Sequence, residues 1–202
     1  MKKIFYSFVL LITFFGISCS VYETMVNLSR LQFKLGDVTD FNVSGIDITN
    51  KSQLKDFTAL EALKLSSVFA SGELPVSFKL NIEAKNPNDG TGGYTKTDAT
   101  VKSLPWRLMI DDKETIAGNI SSPVTVPGTG EIALIPIQID IDLFQVIKDQ
   151  GYESLLNLTF ALGGREGSSA RLTVFADPTV STALGDINYP GELKIVDHKF
   201  SN

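Results

Sequence analysis

The stretch NPNDGTGG, Asn86 to Gly93, holds the residue types that bind phosphate or metal ions. A phosphate loop of the Walker kind places Lys and then Ser or Thr after its glycines, and it opens a helix. Here Tyr94 follows and a strand pattern resumes. A calcium loop needs oxygens at alternate positions and a bidentate Glu about twelve residues on. Asn86, Asn88 and Asp89 offer oxygens, but no such Glu closes the run. The expectation is a wide hairpin turn, made of residues that tolerate positive φ. Catalysis has as little to work with. His198 is the only histidine, and there is no G-x-S-x-G elbow. GGREGSS, Gly163 to Ser169, follows a helical pattern and reads as a cap and turn. Asp140 and Asp142 share one strand face, where paired carboxylates could move a proton or hold a cation. A solvated strand face accounts for them equally well. Trp106 shares its face with Leu108 and Ile110 and is assigned to the core. No catalytic residue, metal site or cofactor is expected.

The amino-terminal residues carry a different chemistry. Lys2 and Lys3 precede an apolar run from Ile4 to Ile17, the pattern of an export signal. Cys19 follows Gly-Ile-Ser and is the only cysteine of the 202 residues. A small residue before a Cys at the end of such a run resembles a bacterial lipobox. Residues 1–18 are therefore expected to be a lipoprotein signal peptide and Cys19 the site of lipid attachment. A lone Cys at the cleavage point suits lipidation better than redox chemistry. Acyl chains on Cys19 would hold the protein to a membrane stably. Ser20, rather than Asp, after the Cys leans towards the outer membrane of a bacterial cell envelope. The net charge is −5, and loss of both lysines would make it two units more negative. An acidic domain is a poor partner for nucleic acid.

The remaining chain is patterned for sheets. Residues 19–29 are expected to be a tether and 30–202 a single domain. Leu31, Phe33 and Leu35 alternate with polar neighbours, and a phase shift at Gly45 suggests a bulge. Asn50 to Ala70 has helical spacing, with Leu54, Phe57, Leu60 or Glu61, and Lys64 or Leu65 on one face and Asn50 or Ser52 as N-cap. In PVSFKLNIEAK, Phe78, Leu80, Ile82 and Ala84 point one way and charged or polar residues the other. In EIALIPIQIDIDL, Ile135, Ile137, Ile139, Ile141 and Leu143 point inward, while Pro136 marks an edge or a bulge. A second helix is expected from about 142 to 162, capped by Asp142. About eight strands and two helices argue for a mainly β fold, an antiparallel sandwich with two helical insertions.

Three of these stretches also carry a family pattern. LNIEAKNPN, then SLPWRLMIDDKETIAGNISSPVTVPGTGEIALIPIQIDIDL, then ALGDINYPGELKI resemble the type 2 late-embryogenesis-abundant family, or WHy domain. The matching residues are Asn86, Pro87, Asn88, Gly118, Val126, Pro127, Gly128, Ile135, Pro136 and Ile137. The resemblance spans roughly Leu74 to Val196. It implies a fibronectin-III/immunoglobulin-like sandwich without cofactor or catalytic residue, associated with stress tolerance. The function expected is a non-enzymatic, lipid-anchored envelope protein, a structural, stress-protective or protein-binding module. The alternative is a carrier of lipid or another apolar ligand, suggested by the Leu-rich stretch Leu155, Leu156, Leu158 and Leu162.

Overall fold

A computed structural model describes residues 22–51, 54–110, 113–147, 172–182 and 184–195. Residues 22–29 are helical (α1). Two strands follow, β1 (Gln32–Val43) and β2 (Ile46–Asp47), then a 3-10 turn (Leu54–Asp56) and α2 (Ala59–Ala70). Next come β3 (Pro75–Lys85), β4 (Ala99–Ser103), β5 (Trp106–Ile110), β6 (Lys113–Gly118), β7 (Val124–Val126) and β8 (Ile132–Asp142). The described chain ends with α3 (Leu143–Ile147), β9 (Leu172–Ala176), β10 (Thr179–Thr182), β11 (Gly185–Asn188) and β12 (Leu193–Ile195).

Every strand pair is antiparallel. One sheet has the order β2-β1-β3-β8. Its best-formed pair is β3 with β8, in unbroken register from Pro75–Asp142 to Lys85–Ile132. The alternation dictates which side is dry. Phe78, Leu80, Ile82, Ala84, Ile135, Ile137 and Ile139 are all buried, as expected. Pro136, opposite Asn81, lies on β8 at the sheet edge, where a residue without an N–H is tolerated.

The facing layer has two four-stranded halves, β11-β10-β4-β7 and β12-β9-β5-β6. They are one sheet with a bend. Each strand of one half continues into a strand of the other, and a proline stands at each break: Pro105, Pro123, Pro178 and Pro190. A proline has no N–H for the ladder, so pairing lapses at that level in all four strands together. Backbone bonds still stitch the bend, from Asp177 N–H to the Pro105 carbonyl (2.9 Å) and from Tyr189 N–H to the Pro178 carbonyl (2.8 Å). The structure has twelve strand segments against about eight expected, and β6, β7 and β10 are among those the alternation does not assign. Leu104 at the bend, Leu108 and Val174 close over the inner face of β3 and β8 to make one core. Phe41 and Phe78 stack within it with ring centroids 5.4 Å apart. Burying one such side chain stabilises the fold by about 1.5–3 kcal/mol. The sequence reading of a mainly β antiparallel sandwich is what the structure shows.

Several local expectations are corrected. The phase shift at Gly45 is a two-residue hairpin, with Ser44 and Gly45 both at positive φ (52° and 74°), not a bulge. The register shifts of β1 lie earlier, between Leu35 and Val38 and between Thr39 and Asn42. Helix α2 is capped by Thr58, not Asn50 or Ser52. Thr58 and Glu61 form a reciprocal capping box, and the backbone N–H of Thr58, with Lys51 next, holds the Glu61 carboxyl below the usual carboxylate range. Phe57 and Leu65 of the expected face rest on the core, joined by Phe69, while Leu60 is 77 % exposed. Of the expected second helix, 143–147 is helical. Asp142 accepts the Phe144 N–H (3.0 Å), as an N-cap should, and also the Leu74 N–H (2.7 Å). The rest of that helix, with Leu155, Leu156, Leu158 and Leu162, and the Gly163 to Ser169 turn lie outside the described residues.

One ion pair on the bent sheet makes stability depend on pH. Arg107 grips both oxygens of Glu192 (2.9 and 2.8 Å) and lies 4.3 Å from the centre of the Phe175 ring. Hydrogen bonding to Arg107 holds the Glu192 carboxyl below its ordinary value. A depressed folded value means the contribution is complete above the ordinary glutamate range and lost as pH falls through the folded value. Wild-type protein is expected to melt above Glu192→Gln at neutral pH. The gap should close as pH is lowered from about 6 to about 3. Thermal melts across that range read the difference, and a constant gap would exclude this carboxylate as its source.

Candidate functional site at the Asn86 to Asn88 knot

Strand β3 runs directly into Asn86-Pro87-Asn88. Both asparagines are buried, Asn86 at 0 % and Asn88 at 2 % exposure. A buried amide must be fully hydrogen-bonded, and backbone groups supply the partners. The Asn86 side-chain NH2 donates to the carbonyls of Thr97 (2.7 Å) and Val126 (3.2 Å), and its Oδ1 accepts the Asn88 N–H (3.1 Å). Backbone bonds complete the tie, from Gly130 N–H to the Asn86 carbonyl and from Thr97 N–H to the Asn88 carbonyl, both 3.1 Å.

Asn88 reaches the other way. Its NH2 donates to the Asn27 carbonyl (2.8 Å), and its Oδ1 accepts from Arg30 Nη1 (2.9 Å). The Arg30 guanidinium lies 3.6 Å from the centre of the Tyr94 ring, with Nη2 3.4 Å from the Pro87 carbonyl. The segment before β1 is therefore bound to the sandwich by residues about sixty positions away. Over 22–29 this differs from the expected tether, while 19–21 lie outside the described residues. Residues 22–29 are helical, and Asn27 and Leu28 are buried. Leu28 and Leu31 make a small second core with Ala99 and Val180. Tyr189 stands over this junction, edge-on to Phe33, and burial pushes its phenol up from the ordinary value.

Gly128 closes the knot from the far side. Its N–H donates to Asp98 Oδ1 (2.8 Å), and the backbone packs so closely that a Cβ would lie 2.6 Å from both the Asn88 and Thr97 carbonyl oxygens. Of the residues singled out in sequence, Asn86, Pro87, Asn88, Val126, Pro127 and Gly128 thus come together. Gly118 and Pro136 do not. Gly118 pairs with Trp106, whose indole would meet a Cβ there at 2.7 Å, and Pro136 sits on the β8 edge. Cys19 and His198 lie outside the described residues.

The rest of NPNDGTGG turns the chain, but the expected wide hairpin is corrected: β3 and β4 belong to different sheets, so the stretch crosses from one layer to the other. Asp89 accepts the hydroxyl (2.7 Å) and N–H (2.9 Å) of Thr91, which hold its carboxyl below the usual range. Gly90, Gly92 and Gly93 take positive φ. No group of three His, Cys, Asp or Glu that could hold a metal ion exists among the described residues. Asp140 and Asp142 do not act as a pair. Asp140 is exposed, whereas Asp142 is engaged by two backbone N–H groups.

Sequence reasoning missed Arg30, Asn27, Tyr94 and Asp98. Arg30 stands among the polar residues of an alternating strand, and nothing local to it signals an asparagine 58 residues away. Beside the knot, α1 and strands β4 and β10 leave a cleft of about 370 Å³, lined by Glu23, Asn27, Leu28, Asp98, Ala99 and Val180 among others.

Neither a scan of protein-family models nor a search of curated proteins finds a match. Among solved structures, the chain has a weak likeness to a protein from Archaeoglobus fulgidus, at 11% identity and a TM-score of 0.31, covering 84% of this chain and 97% of that one. A similar likeness, at 14% identity and a TM-score of 0.32, covers 84% of this chain and 86% of AT1g01470 from Arabidopsis thaliana. At these scores neither likeness identifies a family or a function.

Proposed function

We propose that this is a non-enzymatic, lipid-anchored protein of the bacterial cell envelope, with a sandwich of the type 2 late-embryogenesis-abundant kind that serves as a structural, protective or protein-binding module. The observation that supports it most is how the knot uses its polar side chains. Asn86 and Asn88 are fully engaged by backbone groups and Arg30, so the residues that look most like a motif build the scaffold and offer no acid, base or nucleophile. The same knot fastens α1, whose described residues start at Tyr22, three positions after Cys19 in sequence, to the body of the domain. A module held this way would sit close to the membrane that its acyl chains enter, with Cys19 as the attachment point. The stress-protective part of the reading comes from the family resemblance and is analogy at the level of fold.

The test is metabolic palmitate labelling with membrane fractionation. Wild-type protein is expected to take the label and sediment with membranes, and Cys19→Ala to lose both. Label that persists in Cys19→Ala would refute the anchor. A strain lacking the protein that survives drying and osmotic shock as well as its parent would remove the protective role and leave the binding module.

A further inference from the structure

We infer that the end of the sandwich that carries α1 rests on a lipid bilayer, with its exposed apolar side chains seated among the headgroups. This placement rests on the anchor at Cys19 proposed above, and it says which face of the domain the membrane meets.

The sandwich has two ends. One holds α1, the Asn86 to Asn88 knot, the turn between β7 and β8 and the turn between β10 and β11. Glu23 and Thr24 of α1 stand there beside Thr97, Asp98 and Thr182. The other end holds the Ser44–Gly45 hairpin and α2, which leads into the start of β3. The eleven residues of β3 set the two ends about 35 Å apart.

Exposed apolar side chains divide unequally between them. Of the eight large ones among the described residues, six lie at the α1 end: Tyr22, Met25, Tyr94, Ile132, Leu134 and Leu184. Tyr22 and Met25 are on α1 itself. Tyr94 stacks on Arg30 beside the knot. Ile132 and Leu134 open β8, opposite Lys85 and Glu83 where β3 enters the knot. Leu184 sits in the β10–β11 turn, its N–H on the Thr182 hydroxyl (3.1 Å). Single exposed apolar residues need no explanation, but six gathered at one end mark a contact surface.

The chain ahead of α1 indicates what covers that surface. Cys19 is three residues before Tyr22. Three residues span at most about 11 Å when fully extended. The headgroup layer on one side of a bilayer is itself about 5–7 Å deep. A domain held by lipid at Cys19 therefore cannot stand clear of the membrane, and the end it must present is the apolar one. Tyrosine, with an apolar ring and a polar tip, suits the headgroup level. Glu23 and Asp98 are exposed at the same end and would be repelled by anionic lipid, so the contact is apolar and needs no negative headgroup.

Fluorescence quenching reads this contact. Full-length protein purified in detergent is reconstituted with phosphatidylcholine vesicles that include a lipid bearing a nitroxide close to its headgroup. Ile132→Cys, Leu184→Cys and Leu63→Cys, all at exposed positions, each receive an environment-sensitive fluorophore. An acylated Cys19 has no free thiol to compete. Circular dichroism checks that the variants are folded. Loss of emission is expected for the labels replacing Ile132 and Leu184, and none for the label replacing Leu63 on α2. Equal emission at all three positions, in protein that floats with the vesicles, would overturn the contact and leave the anchor standing. Labels at the α1 end that shift to the blue without quenching would assign that end to a second copy of the chain and overturn the contact as well. Palmitate incorporation reads the anchor separately. Protein without palmitate whose α1 end is still quenched would lose the anchor and keep the contact, and protein that does not float would lose both.

Discussion

Gly128→Ala is expected to destabilise the protein by about 3–4 kcal/mol, at the upper end for adding one methyl group. The reason is what the new Cβ would meet. It would lie 2.6 Å from the carbonyl oxygens of Asn88 and Thr97 and 2.9 Å from the Thr97 carbonyl carbon, all of them backbone. A flexible side chain could swing aside, but these atoms are fixed by the bonds of the Asn86 knot. Relief requires moving the loop that binds Asn27 and Arg30, so the damage should spread to α1. A chain of this size loses about 2–4 °C of melting temperature per kcal/mol, so a fall of roughly 6–16 °C is expected. Gly93→Ala is the control. Gly93 has a positive φ of 82° but nothing within 4 Å of a Cβ, so only the backbone strain remains, about 1–2 kcal/mol. If the two substitutions cost the same, close packing at Gly128 is not what the position requires.

Asn86→Ala is expected to cost about 3–5 kcal/mol, because one side chain serves three backbone groups. Its loss strips the bonded donor from the Thr97 and Val126 carbonyls and the acceptor from the Asn88 N–H, at a site with 0 % exposure. Water cannot replace those bonds without opening the loop. Asn86→Asp should fare no better at neutral pH, since a carboxylate would face two carbonyl oxygens where an NH2 now donates. Asn88→Ala provides the comparison, as it frees Arg30 and the Asn27 carbonyl but leaves the β3-to-β7 tie intact. Urea melts of the three variants give the order. A smaller loss for Asn86→Ala than for Asn88→Ala would mean that the knot is centred on α1 and not on the strands.

The two asparagines also show how far sequence reasoning reached. Alternation over PVSFKLNIEAK assigned the inner face of β3 correctly, and the turn chemistry of NPNDGTGG was right for Asp89 to Gly93. The buried state of Asn86 and Asn88 was not legible. An asparagine at the start of a turn and one buried in a knot look alike in sequence. What distinguishes them is a partner carbonyl, and every residue has one.

The helix errors have a related cause. Asn50, Ser52 and Thr58 are all acceptable caps, and the helical stripe alone does not choose among them. Thr58 prevails because Glu61 completes the capping box with it. The prolines at 105, 123, 178 and 190 were all visible as residues. That they mark one common bend could be seen only once the four strands lay side by side.

By itself the sequence determined the mainly β composition, the inward and outward faces of the long strands and the absence of a recognisable catalytic motif. These follow from periods of two residues and from local side-chain chemistry, which need no knowledge of distant segments. Only the tertiary structure decided that residues 22–29 form a docked helix, that Arg30 serves Asn88 and that two sheet halves are one bent sheet. Each of these depends on which segments meet across tens of residues. That is set by how the whole chain buries its apolar faces together, and no local spacing records it.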